Sequence, residues 1–160
     1  MKKLFIISIA LFAMTLTQAF GANSYTSSSK GDLVIENSLV GVLGYDLVSY
    51  HTGKKPLPGN GNFVAVHDGI KYLFTSKANK ETFESNPHKY VPAFGGYCAF
   101  GVAVGKKFIG DPTVWKLVDG KLYLNLDTSI QALWNKDVKG NIKKANKNWS
   151  NIAGTPASKL

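Results

Sequence analysis

The chain's one cysteine, Cys98, is the side chain with the widest choice of chemistry. It follows Gly95, Gly96 and Tyr97, and paired glycines allow backbone conformations or close approaches that other residues cannot adopt. If a helix begins after Cys98, the thiol lies at its amino end, where the helix dipole favours a thiolate. The stretch predicts either a metal-binding or redox-sensitive thiol, or a small apolar side chain that fills a gap in the core, which is the commoner role of free cysteine.

Three histidines, His51, His67 and His88, are the next candidate metal ligands. None has a second histidine or a cysteine two to four residues away, which is the spacing of a local zinc site. A site assembled across the fold from Cys98, His51 and His67 would suit copper or zinc, since both metals accept thiolate and imidazole ligands. For each histidine taken alone, a surface or turn position is the more frequent role.

A second cluster of polar side chains precedes the hairpins. Asp46 is suited to cap a short helix, with Tyr50 four residues later on the same face. In the alternative, the cluster lines a polar pocket for a small ligand. The candidate ligand-binding residues are then Tyr45, Asp46, Tyr50, Gly95, Gly96 and Tyr97. The chain has neither a glycine-rich phosphate loop nor a G-x-S-x-G nucleophile elbow, so no complete catalytic constellation is visible.

Two Asp-Gly pairs mark the elements that must position these residues. Alternating apolar residues at 63–67 lead into Asp68 and Gly69 and return at 70–74, which predicts a β-hairpin. The same pattern recurs at 114–118, with its turn at Asp119 and Gly120 and its return at 121–126. We expect the four strands to form one antiparallel sheet, and no internal repeat beyond the two hairpins is visible.

Helices are predicted between and after the hairpins. Ser76 is a suitable N-cap for a helix that ends near Asn86, because Pro87 follows. Asp127 or Thr128 begins another helix, and the apolar spacing up to residue 149 predicts a last one with lysines on its outer side. The expected fold is α+β: a small antiparallel sheet built from two β-hairpins, covered by short helices, with a helical C-terminal segment.

The first residues predict export. Lys2 and Lys3 precede a short apolar run at residues 4–14, and small residues stand before the expected cleavage site, which is after Gly21 or, as second choice, after Ala19. The run is about half as long as a membrane-spanning helix, and no cysteine lies near the cleavage region to carry a lipid. We therefore expect a periplasmic or secreted protein with no transmembrane anchor after cleavage.

The rest of the sequence predicts a single domain. Residues 1–21 form the signal peptide, 22–31 a disordered leader, 32–152 the domain and 153–160 a frayed tail. All nineteen basic residues are lysines, and the seventeen that remain after cleavage face ten acids, a net charge of about +7. Because arginine is the side chain that grips phosphate and guanine bidentately, its absence argues against a nucleic-acid partner.

One combination of residues in the middle of the chain is specific enough to compare with known families. It runs from a hairpin through a helix to an N-P-x-x-Y ending: His67, Gly69, Tyr72, Phe74, Ser76, Phe83, Asn86, Pro87 and Tyr90. This combination resembles the YHS-domain family. The stretches at 44–50, 95–99 and 110–124 are similar to those of exported single-domain members, so the resemblance covers most of residues 40 to 150.

The resemblance implies metal handling, since YHS domains are associated with it in proteins that include copper-transporting ATPases. Many metal-associated members carry a cysteine after the phenylalanine of the second strand and another four residues later, where this chain has Thr75 and Asn79. We expect an exported, non-enzymatic protein that binds a transition metal, copper or zinc, with Cys98 among the ligands. The alternatives are a pocket for a small organic ligand or cofactor, with or without enzymatic use of Cys98, and a structural protein of the cell envelope.

Overall fold

The computed structural model describes residues 39–52 and 55–160. The predicted signal peptide, the leader and the start of the domain near Asp32 lie outside the described residues. None of the helices in this described part has the length and apolar character needed to cross a membrane.

The described chain alternates hairpins with short helices. Its strands and α-helices are, in order, β1 (Asn60–His67), β2 (Ile70–Phe74), α1 (Lys77–Ser85), α2 (Pro87–Tyr90), α3 (Ala99–Ala103), β3 (Asp111–Val118), β4 (Lys121–Asn125), α4 (Thr128–Asn135) and α5 (Val138–Ile152). Short 3-10 turns occur at Ser49–Thr52 and Ala157–Lys159, and tight turns with positive φ occur at Gly41–Gly44 and Ala93–Gly96. The α+β class, both hairpins and the helical C-terminal segment are confirmed.

The two hairpins form two separate antiparallel sheets, so the expectation of one four-stranded sheet was wrong in this detail. The reason lies at the outer edges of the hairpins. On β2, the N–H of Lys71 donates to the carbonyl of Leu39 at 2.8 Å. On β4, Leu124 pairs with Cys98. Because loop residues already occupy these edges, β2 and β4 cannot pair with each other.

The hairpin turns and the helix starts follow the local signals in the sequence. Asp68 and Gly69 both have positive φ, at 50° and 75°, as a two-residue hairpin turn requires. The side chain of Ser76 accepts the N–H of Asn79 at 3.1 Å and so caps α1. Asp127 caps α4 in the same way, and the helix that begins after Ser76 ends before Pro87, as predicted.

The second half of the described chain repeats the architecture of the first. Each half contains a turn with three residues of positive φ (42–44 and 94–96, called here the left-handed turns), then a hairpin with strands of eight and five residues, then a capped helix. The strand pairing shifts at equivalent places, between Asn60 and Val64 and between Asp111 and Trp115. Residues 41–92 and 93–152, called here the first and second halves, thus repeat one order of elements, although α5 of the second half is much longer than α2 of the first.

The repeat is also present in the sequence, at a spacing of 51 to 52 residues, although the sequence analysis did not detect it. Identical residues mark the turns and the second strands: Gly44 and Tyr45 against Gly96 and Tyr97, Gly59 against Gly110, Asp68 and Gly69 against Asp119 and Gly120, and Tyr72 and Leu73 against Tyr123 and Leu124. Most other positions differ in chemical type, which hides the relationship from a search for periodic patterns.

Two apolar clusters form, each around one aromatic residue of a helix, and the first also contains Leu122 and Leu124 of the second half. Phe83 of α1 is fully buried, with its ring centroid 5.1 Å from those of Tyr72 and Phe74. At the equivalent position of α4, Trp134 is fully buried and packs 5.6 Å from Tyr123. The long helix α5 closes the second cluster through Ala145, Ile142 and Trp149.

A buried lysine holds the carboxyl end of α5. Lys107 is only 9% exposed, and its Nζ donates to the carbonyls of Ile152, Ala153 and Thr155 at 3.4, 2.9 and 2.7 Å. The ammonium also lies 4.8 Å from the centre of the Tyr97 ring. Residues 153–160, which we expected to fray, are therefore anchored at their start.

Candidate functional site

The carboxylate of Asp46 is completely buried and accepts five hydrogen bonds. Its Oδ1 accepts the N–H groups of Val48 and Ser49 at 2.9 and 3.3 Å, which is the capping role that the sequence predicted. Its Oδ2 accepts the N–H and the hydroxyl of Thr75 at 2.9 and 2.7 Å and the amide of Asn79 at 2.7 Å. Both oxygens are saturated, so Asp46 holds the fold and is not free to take a ligand.

Thr75 and Asn79, the two positions at which the resemblance implies cysteines, are thus occupied by donors to one carboxylate. Asn79 also bonds to the Thr75 hydroxyl at 3.2 Å, which closes the network. We call the group formed by Asp46, Thr75 and Asn79 the carboxylate node. It ties the start of the first half to the beginning of α1.

Tyr50 belongs to the core. It is fully buried, its hydroxyl donates to the carbonyl of Pro112 at 2.8 Å, and its ring meets Trp115 edge-on at 5.3 Å. Burial raises the pKa of the Tyr50 phenol well above its usual range, with smaller contributions from Tyr45 and Asp111. Tyr45 is half-buried and packs against the same cluster. Among the contacts of the described residues, neither Tyr45 nor Tyr50 touches Cys98.

The histidines lie in two other places. His51 packs edge-on against Tyr90 at 4.9 Å, and its buried Nε2 has no hydrogen-bond partner within the described residues. Burial lowers the pKa of His51, and the charges of Lys89 and Lys121 lower it further. His67 packs against His88, with ring centroids 5.1 Å apart, and its Nε2 lies 3.4 Å from Asp68 without forming a hydrogen bond.

Cys98 is completely buried at the start of α3, as the core-packing interpretation predicts. Its Sγ accepts the N–H of Gly101 at 3.4 Å and lies 3.7 Å from Oδ1 of Asn125. The same amide oxygen accepts the N–H of Phe100 at 3.3 Å, which fixes the orientation of the Asn125 side chain. Among the described residues, Asn125 and Gly101 are the hydrogen-bond partners of the thiol, and neither is a base.

The thiol of Cys98 also borders a cavity of about 150 Å³ whose accessible lining is entirely apolar. The exposed side chains of Val104 (57%), Phe108 (45%) and Leu126 (41%) bound it on the outer side. The complete lining is Cys98, Phe100, Gly101, Val104, Phe108, Leu126 and Ile130, and we call this the thiol cavity.

The thiol cavity is the second-half counterpart of the carboxylate node. Cys98 follows Gly-Tyr as Asp46 does, and each accepts an N–H three residues further on. At the repeat spacing, Leu126 stands in place of Thr75 and Ile130 in place of Asn79. Where the first half fills the position with hydrogen bonds, the second half leaves an apolar space beside a sulfur atom.

The remaining predicted ligand-binding residues, Gly95, Gly96 and Tyr97, line a second and larger cavity of about 270 Å³. It lies between the two left-handed turns and includes Val42 and Leu43 of the first one. The Tyr97 ring packs 6.2 Å from Trp149. The lining of this cavity, within the described residues, does not include Tyr45, Asp46 or Tyr50.

The sequence analysis missed most of the residues that surround Cys98. Asn125, Leu126, Ile130 and Phe108 carry no motif. The signal that could have found them is the repeat, because it places 125–130 against 74–79, where the family resemblance has its cysteines.

The described part of the chain brings together no group of three or more His, Cys, Asp or Glu side chains that could hold a metal ion. Comparison of the chain with protein-family models, with curated proteins and with solved structures found no match.

Proposed function

We propose that this chain is an exported binding protein of the YHS type, periplasmic or secreted, that takes up a small apolar molecule in the thiol cavity and catalyses no reaction. The observation that carries the proposal is the pairing of a thiol with an all-apolar cavity that reaches the surface between Val104, Phe108 and Leu126. Export and family membership are supported by the signal-like first residues and by the residue pattern at 67–90.

The size and polarity of the thiol cavity define the class of ligand. An apolar cavity of about 150 Å³ has room for a molecule the size of benzene and offers water no polar partners. The walls here are Phe100, Phe108, Leu126 and Ile130.

Binding without catalysis is supported by the partners of the thiol. A cysteine that is activated by a general base needs that base within hydrogen-bond reach of its sulfur. The Sγ of Cys98 contacts an amide oxygen and a backbone N–H, while His51 and His67 make their contacts elsewhere. A function in copper or zinc binding is supported by the resemblance alone, because the carboxylate node takes up the positions of the family's cysteines.

The proposal is tested by adding benzene or indole to the purified protein and measuring the melting temperature together with the amide NMR shifts. A ligand that binds only the folded state raises the melting temperature, and the rise grows with the logarithm of the ligand concentration above its Kd. We expect benzene to do so, with the largest NMR shifts at Cys98, Phe108 and Ile130, and we expect the larger indole to bind more weakly.

In Val104→Trp the larger side chain should block the thiol cavity, because Val104 is exposed and borders the opening. Val66→Trp is the matched control, since Val66 is 64% exposed on β1. Loss of the benzene effect in Val104→Trp alone supports the proposal. An equal effect in both variants, or shifts centred on the larger cavity at Gly95 and Gly96, would show that the thiol cavity is not the site.

A further inference from the structure

The exposed face of α5 carries an unbalanced row of positive charges. Lys139, Lys143 and Lys147 follow one another at intervals of four residues, and Lys144 lies beside them. All four side chains are exposed. Like charges at this spacing repel each other and weaken a helix, so the row works against the stability of α5.

The contrast with α1 shows that this chain also uses the opposite arrangement. On α1, Lys77 pairs with Glu81 at 3.2 Å and Lys80 pairs with Glu84 at 3.5 Å, both four residues apart. After Asp137, by contrast, the sequence contains no acidic residue at all, and the Asp137 carboxylate is bonded to the N–H of Gly140. Within the described residues, no salt bridge neutralises the lysines of α5.

The opposite face of α5 fixes which way the lysines point. Ala145 is fully buried in the second cluster, and the amide of Asn148 donates to the carbonyls of Val102 and Ala103 on α3 at 3.0 Å each. The carboxyl end is held by Lys107. The row from Lys139 to Lys147 therefore presents about 12 Å of positive surface on a helix that cannot rotate.

We infer that this lysine face is a docking surface for an anionic membrane. Lysine acts as a point charge, which suits the many separate phosphates of a lipid surface. Bidentate recognition of nucleic acid relies on arginine, which the chain lacks. The exposed residues of α5 are lysine, asparagine and serine, without an aromatic or aliphatic side chain to insert into lipid. Binding is therefore electrostatic, peripheral and reversed by salt.

The test is flotation of the purified protein with vesicles of phosphatidylcholine alone and with vesicles that contain 30% phosphatidylglycerol, a composition of about one anionic lipid in three. We expect flotation only with the anionic vesicles, and its loss as salt is raised. Each substitution removes the attraction of one lysine to the anionic surface. The double variant Lys143→Gln with Lys147→Gln should therefore bind about 30-fold more weakly. Circular dichroism checks that the variant stays folded.

The matched control removes the same charge elsewhere. Lys55 and Lys89 are exposed and lie outside α5, so Lys55→Gln with Lys89→Gln should bind almost as well as the unaltered protein. Equal losses of vesicle binding in the two double variants would show that only the net charge matters, and would overturn the proposed docking surface. Binding to neutral vesicles would also overturn it, as would displacement from anionic vesicles by heparin at equal charge, which would identify a soluble polyanion as the better partner.

Discussion

Thr75 and Leu126 occupy the same position in the two halves, yet Thr75 donates two hydrogen bonds to Asp46 whereas Leu126 borders the cavity beside Cys98. The difference follows from one property of each half. A buried carboxylate requires donors on every side, while a buried thiol tolerates apolar neighbours. The two sites therefore have the same backbone setting and opposite chemistry.

Asp46→Ala should strongly destabilise the protein. The substitution leaves five donor groups without their acceptor, and hydrogen bonds to charged groups contribute about 1.5–3 kcal/mol each, so we expect a loss of about 3 kcal/mol or more. Urea unfolding monitored by circular dichroism measures it. Asp127→Ala also removes an aspartate that caps a helix, but an exposed one, and should cost clearly less. Similar losses in the two variants would contradict the importance of the carboxylate node.

Cys98→Asp tests whether the two halves are equivalent. The new carboxylate would face the side chains of Leu126 and Ile130, which offer no donors, and an uncompensated buried charge costs about 3–5 kcal/mol. Adding Leu126→Thr and Ile130→Asn copies the first half and should restore much of the lost stability. If the triple variant is no more stable than Cys98→Asp, the two positions are not interchangeable.

Substitutions at equivalent positions of the two left-handed turns should change the stability of the protein in opposite directions. Leu43 has a φ of 49° and is 66% exposed, and its counterpart in the second half is Gly95, with a φ of 63°. Leu43→Gly should stabilise the protein by about 0.5–1 kcal/mol, because a side chain in this region costs about 1–2 kcal/mol and glycine's entropy offsets part of it. Gly95→Ala should cost about 1 kcal/mol.

Space does not explain the second effect, since a methyl group on Gly95 would make only ordinary contacts, 3.9 Å from Trp149. Thermal unfolding of the two variants checks both signs. Stabilisation by Gly95→Ala would show that the left-handed conformation is not retained in solution.

His51 predicts a loss of stability in acid. Its pKa is lower in the folded protein than in the unfolded chain, so the unfolded state binds more protons as the pH falls below about 6.5. The stabilisation is complete above that pH and is lost on descent toward the folded-state pKa. We expect the difference in unfolding free energy between pH 7.5 and pH 5.5 to shrink in His51→Leu.

Lys89 provides a second measurement, because its charge contributes to the lowered pKa of His51. Lys89→Gln should raise that pKa and give a pH dependence between those of the unaltered protein and His51→Leu. NMR titration of the imidazole follows the pKa directly. An unchanged titration in Lys89→Gln would remove the electrostatic explanation.

Lys107→Met should loosen the carboxyl end of α5. Methionine keeps an unbranched apolar stem of similar length but cannot donate to the carbonyls of Ile152, Ala153 and Thr155. We expect a loss of about 1–2 kcal/mol and faster amide exchange in the last turn. The neighbouring Lys106 is exposed, so Lys106→Met is the control and should change little.

The elements that depend on neighbouring residues were predictable from the sequence. The Asp-Gly turns, the caps at Ser76 and Asp127 and the capping role of Asp46 rest on interactions within a few residues. The separation of the two hairpins could not be predicted in this way. It depends on Leu39 and Cys98, which occupy the edges of β2 and β4 but are distant from those strands in sequence.

The neighbours of Cys98 could not be predicted for a related reason. Leu126 and Ile130 look like ordinary apolar residues at the end of a strand and on a helix, and only the repeat relates them to Thr75 and Asn79. Substitutions between polar and apolar types at these positions conceal the repeat from pattern searches. A search for long-range self-similarity would have placed the thiol and the carboxylate in equivalent settings.

Duplication of the unit has an evolutionary consequence. With a single copy, any change around the buried acid would threaten folding, so the surrounding positions would be under strict purifying selection. With two copies, the first retains that structural duty, and the second is free to diverge. We expect Leu126, Ile130 and Phe108 to vary more among orthologues than Thr75 and Asn79, and under the proposed function their variation should follow differences in ligand.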